Sequence, residues 1–169
     1  DECKAMHIQV LGPDVNESIL KFSVDKEKNI RFGLGAIKGV GESAVQNIIE
    51  ERERNGKYKD IFDFVERVNL SSCNKKNIES LALAGAFDNF GIQRESFFVD
   101  NCFVAISKPE IPQAERWSDL ERLNKEKELV GIYLSAHPLD EFKIILDYVC
   151  NTRMIEFNNK EALLDREIL

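Results

Sequence analysis

The chain has 169 residues, 43% of them apolar and 31% charged, with only four prolines; this excludes a disordered polymer and allows a buried core. A formal charge of −7 argues against capture of nucleic acid by bulk electrostatics, and no apolar run is long enough for a bilayer span. Four dispersed cysteines (Cys3, Cys73, Cys102, Cys150) and two isolated histidines (His7, His137) lack the paired spacing of a zinc site, so no metal or cofactor is expected. The cysteines read as reduced structural thiols of a cytoplasmic protein. Asp1-Glu2-Cys3-Lys4 reads as the interior of a longer chain.

In chain order, residues 7–34 predict β structure: HIQVL, then ILKFSV and NIRF joined by a polar turn at Asp25 to Lys28. Helical spacing follows. Ala44, Val45, Ile48 and Ile49 share one face of a helix ending near Asn55-Gly56. A short helix is expected from Asp60 with Phe62, Phe64, Val65 and Val68 as its apolar side, and another over residues 74–84. A further apolar helix is expected over residues 92–104, containing Phe97 and Phe98. Lys108 to Pro112 is a rigid connector. Ser118-Asp119-Leu120-Glu121 is a capping box whose helix should run to about Tyr133, and Pro138 should open a last helix carrying Leu139, Phe142, Leu146 and Val149. The fold class is therefore mainly α with a small N-terminal β part.

The stretch from Leu34 to Val45 carries the most chemistry. There a helix end meets Gly39-Val40-Gly41, and an amphipathic helix begins immediately afterwards. Glycines at 39 and 41 permit backbone conformations that other residues resist and leave room for a phosphate. The following helix directs unsatisfied N–H groups and its positive dipole end at that space. Val40 should pin the loop into the core. Such a device holds anions with little net positive charge, and the middle of the chain suits it. Residues 30–100 contain ten Lys plus Arg against eleven Asp plus Glu, a net of −1 that leaves −6 for the flanks. A Walker loop is excluded because Glu51 stands where its first glycine belongs, and a dinucleotide fingerprint because Lys38 stands in its third glycine slot. An ordinary tight turn is the competing reading.

A weaker second copy occurs at Ala84-Gly85-Ala86, between helix 74–84 and a helix near Arg94; a plain helical turn competes with it. Tandem hairpins of this kind would straddle a minor groove. The candidate backbone-binding residues are Lys38, Gly39, Val40, Gly41 and Ser43 from the first hairpin and Ala84, Gly85 and Ala86 from the second. No catalytic residue is expected.

From Leu11 onward the chain resembles the bacterial DNA polymerase III alpha subunits, a replicative polymerase family. The resemblance lies in GPDVNESILKFSVD, IRFGLGAIKGVGESAVQNIIEER, FDFVERVNLSSCNKKNIESLALAGAFDNFG and ERLNKEKELVGIYLSAHPLDEF, in family order. It implies that residues 1–35 end the fingers region, 36–106 form the tandem helix-hairpin-helix unit, and 107–169 are a helical connector toward a C-terminal domain. It further implies template-directed chromosomal DNA synthesis, a nucleotidyltransferase activity whose carboxylates lie elsewhere, so this segment should be inactive by itself. The implied partners are the primer–template duplex, other domains of the polymerase and, for the parent, the sliding clamp, in the bacterial cytoplasm and away from membranes. One departure bears on the clamp. Relatives carry a longer insert with a glutamine-led docking motif, whereas here only nine residues separate Phe98 from Lys108, and Gln113 to Trp117 mimic the motif with Arg116 in an apolar slot.

Two functional readings follow. In the first, the chain grips duplex DNA by its backbone without reading sequence, with Lys38 and the amides of Gly39, Val40, Gly41 and Ser43 as contacts. In the second, the acidic chain is an inter-domain or clamp-facing scaffold, with Phe97, Phe98, Phe103 and Trp117 as a protein-binding surface if they are not core.

Overall fold

The computed structural model describes residues 3, 6, 8–98, 111, 113–143, 145 and 149. The chain divides into two compact units, Asp1–Ser135 and Ala136–Leu169. In the second, the described part is brief. His137 Nδ1 accepts from the Leu139 amide at 3.2 Å, and the His137 amide donates to Asp140 Oδ2 at 2.8 Å, starting a 3-10 turn over Asp140–Phe142. The helix expected after Pro138 opens with this turn; beyond it the described Lys143 and Ile145 are helical and the Val149 amide donates to the Ile145 carbonyl at 2.9 Å, while Leu146 lies outside the described residues. Phe103 also lies outside the described residues.

The first unit begins with a small sheet of order β1-β3-β2: β1 (Val10–Leu11) pairs parallel with β3 (Ile30–Arg31), and β2 (Ser23–Val24) pairs antiparallel with it. The turn between β2 and β3 is built by Asp25, whose Oδ1 accepts from the amides of Glu27 and Asn29 at 2.9 and 2.8 Å. The expected hairpin is present, but its strands are short. Beyond the strands, Leu34 and Gly35 donate their amides to the carbonyls of Ile19 and Leu20.

Four helices follow among the described residues. In α1 (Glu42–Asn55), Ala44, Val45, Ile48 and Ile49 are the buried residues, as their spacing requires, and Gly56 closes it at φ 81°. Asp60 caps α2 (Ile61–Arg67) by accepting from the Asp63 amide at 2.8 Å. Asn74 caps α3 (Lys75–Leu83) reciprocally: its side chain accepts from the Asn77 amide at 3.1 Å, and the Asn77 side chain accepts from its amide at 3.0 Å. Ser118 caps α4 (Asp119–Val130), which stops at Gly131 (φ 86°) rather than reaching Tyr133. The apolar segment expected at 92–104 is, where described, a 3-10 helix over Arg94–Phe98.

One core joins these elements. Tyr58, Phe64, Phe87 and Phe97 form a chain of ring contacts with centroids 4.9, 5.0 and 5.4 Å apart. Val15, Phe32 and Leu34 lie in the same cluster as Val45, Ile48 and Phe64. Arg52 donates to the carbonyls of Val15 and Ser18 at 2.7 and 3.0 Å. The boundary expected at residue 35 therefore runs through shared packing. Phe97 belongs to this core, whereas Phe98 is partly exposed beside Trp117, with centroids 5.4 Å apart.

The end of α3 is closed entirely inside the chain. The amides of Gly85 and Ala86 donate to Ala82 and Leu81 at 3.0 and 2.9 Å, the paired bonds of a Schellman cap, with Gly85 at φ 87°. A Cβ on Gly85 would sit 2.4 Å from a nitrogen of Arg94. Arg94 fills that space, bonding both Asp88 oxygens at 2.9 and 2.6 Å and the Leu83 carbonyl at 3.0 Å. A cation there complements the negative helix end and satisfies an orphan carbonyl. The Arg94 side chain is 8% exposed and its partner Asp88 51%.

Two outcomes test this packing. Arg94→Leu should cost on the order of 3 kcal/mol in urea unfolding, the low end for breaking a buried pair because Asp88 is half in water. Burial pushes the Cys73 thiol from 9.0 up to about 11, and burial pushes the Tyr58 phenol from 10.0 up to about 12. Each group keeps its proton longer folded than unfolded, so the stability it gives is whole below the ordinary value and lost as pH rises through the folded one. Stability should fall from about pH 9 toward pH 12, and Cys73→Ala should flatten the part between about 9 and 11; an unchanged slope would refute the thiol's share.

Candidate nucleic-acid interface

The loop before α1 starts with a 3-10 turn over Leu34–Ala36, where the sequence suggested a helix end. Ile37 and Val40 then bracket a tight turn in which the Val40 amide donates to the Ile37 carbonyl at 3.2 Å. Gly39 is its third residue at φ 85°, the left-handed value that a type II turn requires there. A Cβ on Gly39 would also lie 2.9 Å from Ser80 Oγ. Ile37 and Val40 are buried, so the turn is pinned from below at both shoulders.

Two further contacts hold it from the sides. Asn77 Nδ2 donates to the Gly39 carbonyl at 2.7 Å, and the Lys38 amide donates to the Leu129 carbonyl at 3.1 Å. The second satisfies a carbonyl that the last turn of α4 leaves orphaned. The connector helix is thus a brace of the turn. Asn77, Ser80 and Leu129 were not among the residues singled out from sequence; the Asn74-x-x-Asn77 spacing was the available signal for the first.

Beyond the turn, Gly41 caps α1 in an extended conformation, φ −74° and ψ 151°. Any residue can adopt those angles, so its glycine character matters for space rather than conformation. A Cβ there would meet only Ser43 Oγ, at 3.9 Å. The amides of Gly39, Gly41, Glu42 and Ser43 have no acceptor among the described residues, while Lys38 and Ser43 are exposed. Together they form an open cradle of donors at the positive end of a 14-residue helix. Glu42, in the first turn, offsets part of that potential toward an anion.

The expected site is corrected in two respects. Val40 anchors by its side chain, 8% exposed, but its amide is engaged by Ile37 and is not a free donor. Ala84, Gly85 and Ala86 are buried, and their amides donate to Ser80, Ala82 and Leu81. That glycine closes a helix; it presents no donors. Nor are the two sets adjacent. Asn77 and Ala84 are separated by roughly 10 Å along the axis of α3. Tyr58 is buried, with its hydroxyl donating to the Ile48 carbonyl at 2.9 Å.

Comparison with known proteins places this geometry. Residues 7–97 match the family model described as the helix-hairpin-helix motif. The DNA polymerase III subunit alpha of Vibrio cholerae is 39% identical over 168 residues, covering 84% of this chain and 14% of that protein. The Campylobacter jejuni subunit is 36% identical over 196 residues (96% and 16%), and that of Chlamydia muridarum 38% over 187 (92% and 15%). An alignment of 196 positions on a chain of 169 means that the Campylobacter relative carries residues this chain lacks. The chain spans between 14% and 16% of the length of these relatives. It belongs to the helix-hairpin-helix family and, within it, to the bacterial DNA polymerase III alpha subunits.

Proposed function

We propose that this chain is the segment with which a replicative polymerase grips duplex DNA by its sugar–phosphate backbone, behind the site of synthesis. The observation that carries the reading is the row of unengaged amides at Gly39, Gly41, Glu42 and Ser43, facing open space in front of α1. Lys38 adds a point charge. Donors of this kind meet phosphate oxygens and reach no base edge, so the grip is independent of sequence and sensitive to salt. The first hairpin does the holding, and the second glycine turn is an internal brace. On this reading the parent protein carries out template-directed DNA synthesis in the bacterial cytoplasm, with its catalytic carboxylates and its sliding-clamp contact supplied by other residues.

A second reading, an inter-domain or clamp-facing scaffold, draws support from the charge of −7 and from Glu42 at the mouth of the cradle. Titration of a short labelled duplex separates the two. Wild type should bind with a Kd of roughly 10⁻⁴ to 10⁻⁶ M and weaken between about 50 and about 200 mM salt, with the shallow slope that few phosphate contacts give. Gly41→Val leaves the backbone angles allowed while filling the cradle, and should weaken binding about tenfold without loss of helicity. Lys38→Glu should weaken it as well and lower the salt slope by about one. Failure of the folded wild type to bind, or equal binding by all three proteins, would favour the scaffold.

A further inference from the structure

The first turn of α3 holds a cation that no contact among the described residues explains. Lys75 and Lys76 open the helix directly after its cap. Cations are disfavoured at a helix start, where the dipole is positive. Lys75 has a local partner, Glu79 at 3.7 Å, four residues on. Lys76 has none: it is exposed, with no ion-pair or hydrogen-bond partner among the described residues, and Ser72 and Ser80 occupy the positions four before and four after it. The Asn74–Asn77 box engages the amides of Asn74 and Asn77, and the Lys76 side chain stands exposed beside it.

Its direction follows from helix geometry. Residues four apart lie on one stripe, so Lys76 stands a turn before Ser80, the side chain packed against Gly39. Asn77, the next residue, bonds the Gly39 carbonyl at 2.7 Å. Lys75 lies about 100° further round the helix from this stripe, on the side of Glu79. We propose that Lys76 contacts a phosphate of the same DNA strand that the Gly39–Ser43 cradle holds, which makes the binding face run from the first hairpin across the start of α3 instead of toward Gly85. This rests on the backbone-gripping function proposed above. It also gives the cradle a cation on each flank, Lys38 from the turn and Lys76 from α3, to offset Glu42.

The test compares Lys76→Gln, Lys75→Gln and Gly41→Val with wild type on one labelled duplex across a salt series, with circular dichroism to verify folding. Lys76→Gln should bind three- to tenfold more weakly at about 50 mM salt, and its slope of log K against log salt should shrink by about 0.9, one phosphate contact. Lys75→Gln, which removes the same charge one residue away, should stay within about twofold of wild type with an unchanged slope. Wild-type slope for Lys76→Gln, or equal losses for both lysines, overturns the assignment. If Gly41→Val weakens binding and Lys76→Gln does not, the cradle stands without this contact. If Lys76→Gln weakens binding and Gly41→Val does not, the cradle falls and the placement of Lys76 on a strand held by it is overturned. Absence of binding by the folded wild type removes both.

Discussion

The Asn77 side chain makes two bonds at once, accepting from the Asn74 amide at 3.0 Å and donating to the Gly39 carbonyl at 2.7 Å. The first starts α3; the second fixes the turn that precedes α1. Each is a directional bond to a backbone group that packing could not supply, contributing about 0.5–1.5 kcal/mol net. With Gly39 held from the side, Ile37 and Val40 can sink into the core and α1 can begin with its amides directed outward. The Lys38 bond to Leu129 closes the other side with the end of α4. The cradle is exposed, yet nearly every group around it is tied to a different element, which is how a site of backbone donors keeps its shape without a ligand.

Much of the fold was legible in the sequence because its signals are local. The apolar period of α1, the acidic cap at Asp60, the serine cap at Ser118 and the polar turn at Asp25 each act within a few residues, and each appears where its spacing places it. The errors have a common physical origin, since they concern residues whose role is decided at a distance. Arg94 and Glu126 carried no signal of their own in the sequence, yet one closes α3 and the other, 1% exposed, accepts from Ser135 Oγ at 2.7 Å. The boundary at residue 35 came from the family resemblance, which does not say that Phe32 and Leu34 pack with Val45 and Phe64.

The candidate site divides in the same way. Gly39-Val40-Gly41 was recognisable because a loop followed at once by an amphipathic helix can present amides in only a few ways. Ala84-Gly85-Ala86 has the same outline, but its glycine follows nine helical residues, and a helix that ends there must satisfy its own last carbonyls first. The Schellman bonds do so, and the amides they use are the ones a phosphate would need. Two similar strings thus have opposite surfaces: one precedes a helix and leaves donors free, while the other follows a helix and engages them.

That asymmetry bears on how an acidic chain could hold DNA. Bulk attraction is unavailable at a net charge of −7, so any grip has to come from a few donors at short range. Amides at a helix start suit this, since they carry partial positive charge without adding to the long-range field. Few contacts also mean few counterions released, hence a shallow salt dependence and weak affinity for the segment alone. On the proposed function, in which duplex must pass the segment, this would be an advantage over a basic groove. Holding strength then resides in the number of such segments engaged at once, and each can release its phosphates without opposing a large electrostatic attraction.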